Sequence, residues 1–125
     1  MEAVRTAFVT SEGGRSYDLG PDHPLTPLRR QLAVDLIRAY GLTARPGVTE
    51  IAAAPADDAL IERVHAPAYV RAVKRYSAAP ALAAEWEARQ WGLAPGGDTP
   101  AFAGMHEAAA AVCGASVTGA MEVWE

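Results

Sequence analysis

The chain has 125 residues and a mass of 13.1 kDa, a length that suits one domain and excludes a large multidomain enzyme. Half of its residues are apolar and 21% are charged, a globular composition and not a disordered or fibrous one. The formal charge of −4, with acids and bases interspersed and no basic stripe, argues against nucleic acid as a direct partner.

Alanine supplies nearly half of the apolar residues, so a core here depends on close helix packing and a few large anchors. The single cysteine, Cys113, excludes an intramolecular disulfide and fits a reducing compartment. Residues 1–5 show no basic stretch leading into an apolar one, and the longest apolar run, residues 108–113, is too short to span a bilayer. These features predict a cytoplasmic protein with no membrane partner.

Residues 4–10 (VRTAFVT) are rich in β-branched and aromatic types and predict a buried first strand. Gly13, Gly14, Gly20, Pro21 and Pro24 then predict a loop over residues 11–25, long enough to suggest function. Thr26 and Pro27 mark the start of a helix that runs to Tyr40, with Leu28, Leu32, Leu36, Ile37 and Tyr40 on its apolar side and Gly41 as its stop. Residues 48–53 (VTEIAA) predict a second strand, with Glu50 better suited to a sheet edge than a centre. Strand, helix and strand at this spacing predict a parallel pair.

Asp57 caps a short helix carrying Leu60, Ile61 and Val64, and Pro67 starts another whose apolar face holds Tyr69, Val70, Val73 and Tyr76. Residues 81–90 predict a helix anchored by Trp86, followed by a second glycine- and proline-rich loop over 91–103. Residues 104–125 predict a helix with Met105, Ala109, Val112, Ser116 and Ala120 along one side, its small residues allowing close approach to a neighbour. That helix has no glycine, asparagine or proline stop, and Glu122 and Glu125 sit where its dipole disfavours acids. It predicts a chain that is cut, not finished.

Spacing alone assigns no chemistry. His23, His65 and His106 are about forty residues apart and form no H-x-H, D-x-H or H-x-x-x-H pair. There is no C-x-x-C, phosphate-cradling loop or G-x-S-x-G elbow. Three stretches are more particular: YDLGPDHPLTPLRR at 17–30, VHAPAYV at 64–70 and GGDTPAFAGMHE at 96–107. In this order and spacing they resemble the N-terminal part of the zinc-dependent deacetylases of the histone deacetylase family, and bacterial acetoin-utilisation deacetylases above all. The resemblance runs from about Ala7 to Ala120.

The resemblance implies an α/β, arginase/deacetylase-like three-layer fold around a mainly parallel sheet. This chain would hold its first two parallel strands plus mostly helices, so residues 1–125 would form the N-terminal part of a single deacetylase domain. Arg29 matches an arginine that lines the internal channel behind the metal in relatives, where a cation beside a carboxylate product is chemically sensible. Read without the resemblance, Arg29 is a solvated or salt-bridged first-turn residue. Asp98 matches a rim aspartate that accepts hydrogen bonds from the substrate backbone and so orients an acyl-lysine. Its sequence context alone equally fits an Asx-turn or a helix cap. Tyr17 and Phe102 wall the channel or entrance, or pack in the core. His23 and His65 match positions that hydrogen-bond loop backbone, and Cys113 reads as a small core residue.

The family's chemistry needs a metal-bound water, a paired-histidine general base and a carbonyl-polarising tyrosine. None of those motifs occurs here, so zinc is expected of the full-length family enzyme and not of this chain, and no catalytic residue is assigned. The implied substrate is acetylated protein lysine or a small acetyl-amide, and the implied partner is the remainder of the deacetylase domain. The alternatives are a non-catalytic binding or regulatory module derived from the family, and a plain helical interaction protein. A two-stranded parallel sheet with helices on one side predicts an unpaired sheet edge and uncovered apolar helix faces. The isolated chain is therefore expected to aggregate or be partly molten, and to lack zinc-dependent deacetylation.

Overall fold

The structure is a computed structural model and describes residues 5–124, so Val4 of the expected first strand and Glu125 lie outside the described residues. β1 (Thr6–Thr10) and β2 (Val48–Ala52) pair in parallel, from Thr6 opposite Val48 to Thr10 opposite Ala52. Among the described residues they form a two-stranded sheet. The Thr6 N–H donates to the Gly47 carbonyl and the Ala53 N–H to the Thr10 carbonyl, each at 2.8 Å, which extends the ladder at both ends. Phe8, Val9, Val48, Thr49 and Ile51 suit a pleated, half-covered surface. The expected burial of the first strand is not seen. Thr6 and Ala7 are exposed and residues 8–10 are half-buried, because the cover over β1 comes chiefly from one long helix, α5.

The crossover between the strands is α1 (Pro27–Ala39). Thr26 holds the extended N-cap conformation and Pro27 the first helical position, as expected, although the Thr26 hydroxyl makes no capping bond. Gly41 stops the helix at φ +64°, a left-handed conformation that suits glycine. The apolar stripe is turned the other way from what its pattern predicts. Leu28, Leu32, Leu36 and Tyr40 are 64%, 57%, 57% and 74% exposed, while Pro27, Gln31, Val34 and Ile37 form the half-buried side. Helix α1 is also tied to the sheet by an ion pair between Arg38 and Glu50. Glu50 thus sits on an edge strand with a partner, as its position in the sequence predicts.

Asp57 caps α2 (Asp58–Ile61), its Oδ1 accepting from the Leu60 N–H at 2.8 Å. The helix ends before Val64, which is exposed and not part of an apolar face. α3 (Pro67–Ala78) carries Val70, Ala72 and Tyr76 inward. The expected helix over 81–90 divides into a 3-10 helix at Pro80–Ala84 and α4 (Trp86–Gln90), with Glu85 extended between them. Trp86 is not an anchor and is exposed; Ala83 and Ala88 face the core instead. The reason is electrostatic and steric together. Arg75 on α3 reaches Glu85 and Glu87 with one nitrogen each, both at 3.0 Å, which turns the acids toward α3 and leaves only small side chains to pack beneath.

α5 (Met105–Trp124) buries Met105, Ala108, Ala110, Ala111 and Gly114. The predicted line through Val112, Ser116 and Ala120 is exposed at those positions. A helix that is small and apolar nearly all round has little periodicity to orient it, so close approaches choose its buried side. A Cβ at Gly114 would overlap the Ala54 carbonyl oxygen and lie 2.8 Å from the Ala56 nitrogen. At the same junction the Ala56 N–H donates to the Ala110 carbonyl at 2.9 Å. The close approach predicted from the small residues is therefore present. The main core joins Ala72, Tyr76, Ala83, Ala88, Leu93 and Met105, with Trp91 and Phe102 packed against it. No helix among the described residues is long and apolar enough to cross a membrane.

Candidate functional site

All three motif stretches contribute residues to the wall of one cavity beside α3 and α5. Tyr17 meets Phe102 edge-on, with ring centroids 5.5 Å apart and planes at 77°, a favoured aromatic geometry. His65 lies 5.5 Å from the Tyr69 ring, and Tyr69 lies 6.0 Å from Trp91. Between these elements is a cavity of about 200 Å³, walled by Tyr17, His65, Tyr69, Thr99, Met105, His106 and Cys113 among others. Its lining is predominantly apolar with a few polar groups, the usual make-up of a small-ligand site.

His23 joins the two loops. Its Nδ1 accepts the Leu25 N–H at 3.1 Å, and its Nε2 lies 3.0 Å from the Asp98 carbonyl oxygen, 75 residues away. The loop around Asp98 is held at its base as well. The Thr99 hydroxyl donates to the Gly92 carbonyl at 2.8 Å, and the Ala101 N–H donates to the Leu93 carbonyl at 3.1 Å. Gly96 turns the loop at φ +77°.

A polar network joins the end of α3 to the start of α5, and its His106 also lines the cavity. The Ser77 hydroxyl accepts the His106 N–H at 3.1 Å and donates to a Glu107 carboxylate oxygen at 3.0 Å. Ser77 thus serves α5 as an N-terminal cap supplied from another helix. The backbone N–H of Glu107 and the Ser77 hydroxyl hold the Glu107 carboxyl below its ordinary range. Asp58 is lowered by its hydrogen bond from Lys74 and also faces His106 Nε2 at 3.2 Å. That distance marks an electrostatic contact, since the imidazole nitrogen is buried without a well-aligned hydrogen bond.

Of the four residues singled out from sequence, Tyr17 lines the cavity and Phe102 supports it from the core side. Asp98 is exposed at the loop tip and its carboxylate makes no hydrogen bond among the described residues, so neither an Asx-turn nor a cap occupies it. Arg29 is exposed on the first turn of α1 and is brought to neither Tyr17 nor Asp98. Its neighbour Arg30 instead lies over Gly14 and lines a second cavity of about 340 Å³ with Arg15, Arg38, Thr10 and Gln31. Sequence reasoning missed Ser77 and His106 as the junction of α3 and α5. The one available signal was an H-E pair at the start of a helix, which matches no capping pattern. Cys113 is half-buried on the cavity wall.

Among the described residues no three of His, Cys, Asp and Glu stand close enough to hold a metal ion. His23 bonds loop backbone through both ring nitrogens, and neither His65 nor His106 has two further ligand side chains beside it among the described residues. These residues do not fit a zinc ion, and no chemical step is assigned to one here.

A parallel strand pair joined through a helix, with two glycine-rich loops gathered over an apolar cavity, defines an α/β fold. Comparison with known proteins identifies the family. The family model described as Histone deacetylase domain matches residues 23–125, and the chain belongs to that family. It is 32% identical over 115 residues to the acetoin utilization protein AcuC of Bacillus subtilis (strain 168), covering 92% of this chain and 28% of that protein. It is 28% identical over 121 residues to histone deacetylase B of Dictyostelium discoideum, covering 96% of this chain and 27% of that protein. The chain therefore spans little more than a quarter of the length of these relatives.

Proposed function

We propose that the chain is the N-terminal part of a zinc-dependent deacetylase domain that hydrolyses acetyl-lysine or a related acetyl-amide. In this reading it supplies rim and channel residues, Asp98, Arg29, Tyr17 and Phe102, while the metal ligands, the general base and the carbonyl-polarising group come from the remainder of the domain. Zinc, when bound there, supplies a water activated for attack on the amide carbonyl. This chain's residues bind and orient. An exposed Asp98 carboxylate that makes no hydrogen bond among the described residues is suited to accept N–H bonds from an extended acylated backbone, and the Tyr17–Phe102 pair offers an apolar wall to the acyl-lysine stem. Arg29, unpaired on the surface of α1 among the described residues, is available to a carboxylate partner outside this chain.

The observation that carries the reading is the convergence of the first and third motif loops, joined by His23 to Asp98 and by Tyr17 to Phe102, in a chain of the histone deacetylase family. The test compares two proteins on an acetyl-lysine peptide with zinc: the 125-residue chain, and the product of the same reading frame continued past Glu125. The expected result is turnover by the longer protein only, with Asp98→Asn raising KM about 10–100-fold, the range of a lost charge-assisted hydrogen bond. Stoichiometric zinc binding with turnover by the 125-residue chain contradicts the reading. A stop codon directly after Glu125, with peptide binding but no turnover, assigns the chain instead to a non-catalytic binding module.

A further inference from the structure

We propose that His23 is the positioning residue of the Asp98 loop, a latch between two loops that the sequence keeps 75 residues apart. The chemistry follows from the two ring nitrogens. Nδ1 sits 3.1 Å from the Leu25 N–H, which is a donor only, so Nδ1 is the acceptor. In a neutral imidazole the remaining proton is then on Nε2. That proton is directed at the Asp98 carbonyl, 3.0 Å away. One side chain thereby completes a turn in its own loop and holds the backbone of the other. Among the described residues it is the only hydrogen bond between the two loops.

The position of this latch gives it consequence. The Asp98 loop is tied at its base by Thr99 and Ala101, but its tip contains Gly96 and Gly97, the residues with most backbone freedom. The Asp98 main chain is fixed by His23 while its carboxylate is left unbonded among the described residues and exposed. A group held at the backbone and free at the side chain is pre-organised to accept a ligand. Pro24 contributes from the other side, because the residue before a proline is confined to extended conformations, which limits how far His23 can swing. The inference rests on the reading of Asp98 as a substrate-orienting residue, yet the latch itself is measurable without any substrate.

Two substitutions separate the two bonds. Asn in place of His23 keeps an acceptor near Nδ1 for the Leu25 N–H but cannot reach Asp98. Gln reaches as far as Nε2 but offers no acceptor at the Nδ1 position. In the full product of the reading frame that encodes this chain, His23→Asn is expected to lower the backbone order parameters of residues 96–98 from about 0.85 to below about 0.6, with Leu25 amide exchange unchanged. His23→Gln is expected to speed Leu25 amide exchange severalfold and leave the 96–98 order parameters in place. Unchanged order parameters in His23→Asn, or identical behaviour of the two variants, overturns the latch. Amide exchange within α5 reports whether each variant is folded. Should either variant fail that control, the wild-type imidazole decides the matter: its ¹⁵N shifts are expected to show a bare Nδ1 and a protonated Nε2, and the opposite tautomer overturns the proposal. Loss of peptide binding in Asp98→Asn tests the substrate role separately, since that change leaves the Asp98 carbonyl and the latch intact.

Discussion

The α3–α4–α5 side of the molecule and the β1–α1–β2 side draw on similar apolar residues and bury them very differently. On the first, Tyr76 and Ala88 are fully buried, Leu93 and Met105 nearly so, and Arg75 fastens α3 to the acids flanking Trp86. On the second, three leucines of α1 and the Tyr40 that caps it are more than half exposed and the strands are at best half-covered. The difference teaches where the chain closes on itself. The first side closes a core around Tyr76, although Trp86 and the end of α5 stay exposed. The second presents an apolar helix face for which this chain, among its described residues, offers no cover. In the proposed reading that cover is the remainder of the deacetylase domain.

The comparison is broken most strongly at its centre. Tyr76→Ala is expected to cost about 3–5 kcal/mol, the range for deleting a buried aromatic ring, whereas Leu32→Ala on the exposed face should change stability by less than about 0.5 kcal/mol. Urea denaturation of the two variants reads the contrast, and equal costs would mean that the α1 stripe is covered. The helix that links the two sides comes next. Gly114→Ala places a methyl group against the Ala54 carbonyl and is expected to cost about 1–3 kcal/mol or more through overpacking. At Gly119 an added Cβ would lie 3.9 Å from Val9, an ordinary contact, so Gly119→Ala should be neutral or stabilise by up to about 1 kcal/mol through helix propensity.

Acid should weaken the closed side in a defined direction. Glu107 and Asp58 are both lowered in the folded chain, so the stability they contribute is present above their unfolded pKa values. It is lost as pH falls through their lower folded values. Ser77→Ala removes one of the two bonds that lower Glu107 and is expected to cost about 1 kcal/mol at neutral pH, the usual value of a lost cap. It should also flatten the fall in stability on acidification through the carboxylate range, measured by denaturation at a series of pH values. A small effect, in the opposite direction, is expected of Tyr76→Phe. The Tyr76 hydroxyl is buried without a hydrogen-bond partner among the described residues, so its removal should leave stability unchanged or raise it by about 1 kcal/mol. A loss of stability would mean that the hydroxyl has a partner.

Local signals in the sequence carried the elements well. Both strands, their parallel pairing, the Thr26–Pro27 start, the Gly41 stop and the Asp57 cap depend on a few adjacent residues, and each appears in the structure. What the sequence could not carry was orientation. The leucine stripe of α1 looked like a core face because periodicity reports which residues share a side, not what lies opposite. Trp86 looked like an anchor by size, but Arg75 pairs with the acids on either side of it from a helix ten residues away. In α5 the small residues announced close packing without saying on which side, and only the Gly114–Ala54 approach decides it. The motif loops were legible as a family resemblance. Their meeting through His23 and through the Tyr17–Phe102 pair was not, because each contact spans more than seventy residues.

Residue-resolved native-state hydrogen exchange tests the central contrast most directly. The inner amides of α3 and α5 are expected to exchange only through global unfolding, and those of α1 through cheaper local opening, at least tenfold faster (a difference of about 1.4 kcal/mol). Protection of α1 equal to that of α5 would contradict the account, because it would mean that the exposed leucine face costs the helix nothing and needs no further chain to cover it.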